Sequence, residues 1–163
     1  MQAEFFRAGG MLIALFMALS TSTYAFAETG AGDTSVQSTD HRKLAMQIKI
    51  EAEGDTFTAT LEDSETARDF ASLLPLSLTL EDYAATEKIS DLPRRLSTQG
   101  APAGVTPKTG DLAYYAPWGN LAIFHKDFRY SKGLIKLGTL DSGVDVLRRS
   151  GSLKATFSLL SAD

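Results

Sequence analysis

The chain contains no cysteine. Its absence excludes disulfide staples, thiol catalysis, Cys-ligated zinc and the lipid-modified cysteine of a lipoprotein. Histidine is almost as scarce. Of 163 residues only His41 and His125 are histidine. His125 and Asp127 can share a strand face, but two ligands do not make a metal site, so no metal or other cofactor is expected. Basic residues are not in excess either. Sixteen Lys and Arg stand against 20 Asp and Glu, a formal net charge of −4, which lacks the basic stripe of a nucleic-acid binder. No Gly-x-Ser-x-Gly elbow occurs among the serines, and that argues against a serine hydrolase.

Long apolar runs are missing too. The run from Met11 to Leu19 is too short for a bilayer core, which takes about 20 residues. It follows Arg7, passes through the polar stretch Ser20 to Thr23 and reaches Ala25-Phe26-Ala27, a small-x-small cleavage signature. Residues 1–27 therefore read as a secretory signal peptide, cleaved after Ala27. The protein is expected to be exported, periplasmic or secreted, with no stable membrane anchor after cleavage. An uncleaved anchor is the alternative. Residues 28–43 hold one large apolar side chain, Val36. Such a stretch buries too little surface to offset its ordering entropy, and it reads as a flexible tether before a domain at 44–160.

Within that domain the hydrophobic period is mostly two. Leu44, Met46, Ile48 and Ile50 alternate with Gln47 and Lys49; after Glu53-Gly54-Asp55, Phe57, Ala59 and Leu61 alternate with threonines. That predicts a hairpin with one buried face. Asp63 or Ser64 can cap a helix near 64–74, whose face is Ala67, Phe70, Ala71 and Leu74, and Pro75 stops it. Leu76, Leu78 and Leu80 predict a third strand. Residues 84–108 carry Pro93, Gly100, Pro102, Gly104 and Pro107 and read as a long irregular loop. Strands follow at 110–115, 121–124 and 133–140. A short helix near 141–149, capped by Asp141 or Ser142, precedes a last strand through Leu153, Ala155, Phe157 and Leu159. A strand-dominated chain of this size tends to close on itself, because closure removes exposed edges.

Several segments resemble the cyclophilin-like fold, in particular its bacterial cyclophilin-like branch. They are the opening hairpin with its helix, DFASLLPLSLTLEDYAATEKISDLP at 69–93, GDLAYYAPWGNLAIFHKD at 110–127 and GLIKLGTLDSG at 133–143. The resemblance implies a mainly β, closed or nearly closed barrel of about eight strands with two short capping helices. It also implies a groove on the outer face of the sheet, and for this branch no settled activity. Cyclophilins that isomerise prolines resemble one another in a Phe-His pair beside an Arg and in a Gly-rich loop bearing a Gln. Here Phe124-His125 is followed by Lys126, and no Gly-rich run leads to a Gln. The catalytic Arg therefore has no matching position.

The remaining chemistry sits in two places. Residues 114–130 carry Tyr114, Tyr115, Trp118, Phe124, Phe128 and Tyr130 around the turn Pro117-Trp118-Gly119-Asn120. Strand neighbours face opposite ways, so one of Tyr114 and Tyr115 is outside the core, and Phe124 is expected inside it. Trp118 either lines a groove or covers a barrel end. The long loop carries Glu87, Arg94 and Arg95 near Tyr83, and a guanidinium there could hold a carboxylate or carbonyl. The groove candidates are thus Tyr83, Glu87, Arg94, Arg95, Tyr114, Tyr115, Trp118 and Asn120. The expected function is a non-catalytic module that binds a peptide or small molecule. A peptidyl-prolyl isomerase with non-standard residues is the alternative. It would need Arg94 or Arg95 to face an aromatic pocket and stabilise a twisted amide.

Overall fold

The structure, a computed structural model, describes residues 46–160. The expected signal peptide at 1–27, the tether at 28–43 with His41, and Leu44 lie outside the described residues. The elements are β1 (Gln47–Ala52), β2 (Asp55–Leu61), α1 (Glu65–Ala71), β3 (Leu76–Tyr83), β4 (Glu87–Asp91), β5 (Gly104–Val105), β6 (Asp111–Tyr115), β7 (Asn120–Phe124), β8 (Ser131–Lys132), β9 (Leu134–Leu140), α2 (Val144–Leu147) and β10 (Leu153–Leu159). Eight strands close into an antiparallel barrel in the order β1-β10-β3-β4-β7-β6-β9-β2, and β5 and β8 form a separate ribbon. The mainly β, closed barrel with two short helices is the expected fold.

The opening hairpin forms because its apolar residues meet in register. Ile48 faces Ala59 and Ile50 faces Phe57 across β1 and β2, and all four are buried. Helix α1 starts where Ser64 Oγ accepts from the Ala67 amide at 3.1 Å, a standard N-cap bond. Its buried face is Thr66, Ala67, Phe70 and Ala71. Phe70 meets Phe157 edge-to-face at 6.4 Å, which seats the helix on the barrel core. Helix α2 does not start as the sequence suggested. Gly143, in a left-handed conformation, is its N-cap and gives no side-chain cap bond. Asp141 is occupied instead, accepting from the Thr58 and Thr60 hydroxyls at 2.8 Å each.

The expected loop at 84–108 is also corrected. Its first part is β4, a full barrel strand between β3 and β7. The usual apolar alternation is missing because the inward residues of β4 are Lys88 and Ser90, opposite the core residues Ile123 and Leu121. Lys88 is completely buried. Its ammonium pairs with Asp82 Oδ1 at 2.6 Å and donates to the Gly151 carbonyl. Buried charge persists only with partners of this kind.

Strand β7 is buried along its whole length, so both barrel faces are covered there. Leu121 and Ile123 point inward; Asn120, Ala122 and Phe124 point outward by alternation. Phe124 is therefore buried in the core, as expected, on the outer side of the sheet. It belongs to a second cluster with Ala113, Ala122 and Leu134, against which Ile89, Val105, Tyr115 and Phe128 pack. The cover over that cluster comes partly from the β5–β8 ribbon. A side chain at Gly104 would collide with the Ser131 carbonyl, so glycine is required for the two strands to meet. Among the described residues no helix is long and apolar enough to cross a membrane.

Candidate functional site

The hairpin turn between β6 and β7 sets the position of Trp118. The amides of Trp118 and Gly119 both donate to the Tyr115 carbonyl, at 3.2 and 2.8 Å. Gly119 takes φ 81°, a left-handed conformation that glycine adopts without steric cost. The indole then lies 5.3 Å from the Tyr115 ring and 5.6 Å from the Tyr83 ring, nearly perpendicular to both. Trp118 remains 56% exposed, so it does not plug a barrel end.

These rings form one wall of a pocket on the outer face of β4, β7 and β6, with a volume of about 430 Å³. The floor is Ile89, Ala122, Phe124 and Leu134; the opposite wall is the strap from Phe128 to Lys132. A cavity of this size suits a small ligand or one or two side chains of a peptide.

Two polar groups in this apolar surround are incompletely matched, one without a hydrogen-bond donor and one without a counter-ion. Asn120 is 2% exposed, and its side-chain oxygen accepts no hydrogen bond from any described residue. Glu87 lies between Tyr83 and Phe124 in the strand register and is half-buried. Burial pushes its carboxyl pKa up, against the opposing effect of a hydrogen bond from the Thr86 hydroxyl at 2.8 Å. No cation among the described residues pairs with it. The strap contributes Arg129, whose guanidinium lies 5.1 Å from the centre of the Phe128 ring, and Lys132.

Of the residues that the sequence singled out, Tyr83, Glu87, Tyr115, Trp118 and Asn120 line this pocket. Tyr114, Arg94 and Arg95 do not. Tyr114 points inward, is buried, and accepts from the Leu96 amide through its hydroxyl at 3.2 Å. Arg94 grips Asp69 with two bonds, at 2.6 and 2.9 Å, and also donates to Ser72 Oγ. The Arg94 bond, with one from the Ser97 amide, holds the Asp69 carboxyl down at a pKa of about 2. Arg95 donates to the carbonyls of Ala116 and Pro117 at 2.7 and 3.3 Å, and so fastens the turn that carries Trp118. Both guanidiniums bond to protein acceptors, and neither lines this pocket. The isomerase alternative needs Arg94 or Arg95 to face the aromatic pocket, and neither is among the residues that line it.

The sequence reading missed the strap and the outward-facing Ile89, Ala122 and Leu134. The signal for the strap was Phe128 and Tyr130, which follow β7 in a segment with no strand alternation.

His125 and Asp127 do not form a common site. Asp127 accepts from Thr109 and Lys108 and is held at a pKa of about 2, chiefly by the Thr109 amide. His125 is buried with an unpartnered Nδ1, beside a separate depression lined by Asp82, Ala84, Ala85, Lys126, Arg148 and Ser150. Burial lowers its pKa. Among the described residues no three His, Asp or Glu side chains are grouped to hold a metal ion.

Comparison with known proteins agrees with the barrel. No curated protein matches the chain in sequence. The chain is similar to a hypothetical protein from Archaeoglobus fulgidus, solved in solution. The two share 18% identity, with 71% of this chain and 95% of that chain covered and a TM-score of 0.50, a likeness of fold. The sequence profile of the cyclophilin-like family matches residues 50–158. With an eight-stranded barrel and a family match over most of its length, the chain belongs to the cyclophilin-like family.

Proposed function

We propose that this domain is a binding module whose site is the outer-face pocket, taking a peptide segment or a small molecule without covalent chemistry. The observation that carries the reading is the exposed ring group: Trp118 and Tyr83 lie in edge-to-face contact above an apolar floor instead of being buried. Exposed apolar area gathered in one concave patch marks interaction sites. Rigid aromatic rings supply contact area with little entropy to lose on binding.

The site carries its own reporter, because Trp118 is the only tryptophan. Titration with short peptides and amino-acid derivatives should give a saturable change in its emission, and the same ligands should raise the melting temperature by mass action. If neither peptides nor small molecules change the emission in a saturable way, the binding reading is wrong.

We also propose that the module works after export, supported by the short apolar run and the Ala25-Phe26-Ala27 signature. Mass spectrometry of the exported fraction should find Glu28 first. A mature chain that still carries Met11 to Leu19 would contradict this.

A further inference from the structure

The pocket has a direction. Glu87 stands opposite Phe124, and Asn120 lies four residues back along the same strand, β7. At about 3.4 Å per residue the two groups mark opposite ends of a trough, with Ala122 between them on the floor. One end has a half-buried carboxylate with no cation paired to it among the described residues, beside Tyr83, whose ring meets the Trp118 indole that spans from there to Tyr115. The other end has a buried amide oxygen with no donor among the described residues.

Each end asks for a different group. A desolvated, unpaired carboxylate is costly, and a cation relieves that cost. The neighbouring ring faces attract a cation as well. At the far end the unmet acceptor needs an N–H or O–H. A second cation is disfavoured there, because Lys132 lies two residues before Leu134, which pairs with Tyr115, and Tyr115 pairs with Asn120. The matching ligand is an alkylammonium at one end, a short apolar stem over the Ala122 floor, and a neutral amide N–H at the other.

We propose that the pocket recognises a lysyl unit of a peptide, its ammonium paired with Glu87 among the rings and a backbone N–H donated to Asn120. This rests on the reading of the pocket as a ligand site and names what that site selects. Arg129 and Lys132, on the opposite wall, are then free to meet the peptide's carbonyl oxygens.

The test compares two probes on the native protein by calorimetry. One is an acetylated, amidated Gly-Lys-Gly peptide; the other has norleucine in place of lysine and lacks only the ammonium. The lysine peptide should bind at least about tenfold more tightly, the contribution of a charge-assisted contact beside aromatic rings. In Glu87→Gln that preference should shrink to within about twofold. Asn120→Ala should weaken both peptides alike and leave the ratio unchanged. Equal binding of the two probes, or a lysine preference untouched in a folded Glu87→Gln protein, overturns the lysyl assignment while the pocket remains a binding site. If neither probe binds, the lysyl assignment falls, and the binding reading then stands or falls on the wider Trp118 titration.

Discussion

The two faces of β4, β6 and β7 are built from alternating residues of the same strands, yet they differ in how completely they are finished. On the inner face the two largest polar side chains, Tyr114 and Lys88, are matched. The Tyr114 hydroxyl takes the Leu96 amide, and the buried Lys88 ammonium has Asp82 and the Gly151 carbonyl. Phe70 and Phe157 are fully covered. On the outer face, among the described residues, the Asn120 oxygen has no partner and Glu87 no counter-ion, and Tyr83 and Trp118 stay exposed. A closed face stabilises the fold. An unfinished one leaves free energy to be recovered when something binds. Changes on the inner face should therefore move stability, and changes on the outer face should move affinity.

The largest expected effect is on the inner side. Phe70→Ala should cost about 3–5 kcal/mol in denaturant unfolding, through lost burial and the cavity left behind. Ligand affinity of the molecules that remain folded should not change. A loss under about 1 kcal/mol would mean that α1 is not packed on the core. Next comes Trp118→Ala, expected to weaken binding by about 2 kcal/mol or more, as at an aromatic hot spot. Its stability should fall by about 1 kcal/mol, the low end of what two edge-to-face contacts contribute, because the indole is mostly exposed. A destabilisation near that of Phe70→Ala would erase the distinction between the faces. Tyr114→Phe should cost about 1 kcal/mol of stability, because the Leu96 amide loses its acceptor, and leave affinity alone.

The smallest effects are in the pH dependence of stability, where two carboxyls run in opposite senses. Asp69 has its pKa lowered from 3.8 to about 2. The unfolded chain binds more protons in that window, so this contribution is complete above about 4 and is lost as the pH falls towards 2. Asp69→Asn should flatten that acid limb. Glu87 has its pKa raised above 4.5 by burial. The folded chain then binds more protons, so stability should decline as the pH rises through the window above 4.5. Glu87→Gln should remove that decline. Melts of the two variants across pH 2–7 check both signs.

The parts of this architecture that were legible in the sequence are those where alternation is apolar. The hairpin through Ile48, Ile50, Phe57 and Ala59, the helix around Phe70 and the last strand through Ala155 and Phe157 all carry their burial in side-chain type. Strand β4 was illegible because its inward residues are Lys88 and Ser90, and only the tertiary partners Asp82 and Gly151 make an inward lysine tolerable. Phe124 was expected in the core and is there, but the face it takes was illegible for a related reason. Its strand is apolar on both sides, so hydrophobicity carries no sign of direction. Of the residues that line the pocket, Trp118, Tyr115 and Asn120 were singled out from aromatic grouping and turn chemistry, and Tyr83 and Glu87 from the charged loop. Arg94 and Arg95 were misread because their acceptors, Asp69 and the carbonyls of Ala116 and Pro117, lie more than twenty residues away in the chain.

The most direct measurement is two-dimensional NMR of the isotope-labelled protein during titration with the acetylated, amidated Gly-Lys-Gly peptide. The side-chain amide of Asn120 and the indole N–H of Trp118 report on the unfinished outer face, and the amides of Leu112 and Leu121 report on the closed inner one. The account predicts the largest shifts at Asn120 and Trp118, with Leu112 and Leu121 nearly still. Largest shifts at His125, Lys126 and Arg148, around the separate depression, would contradict it.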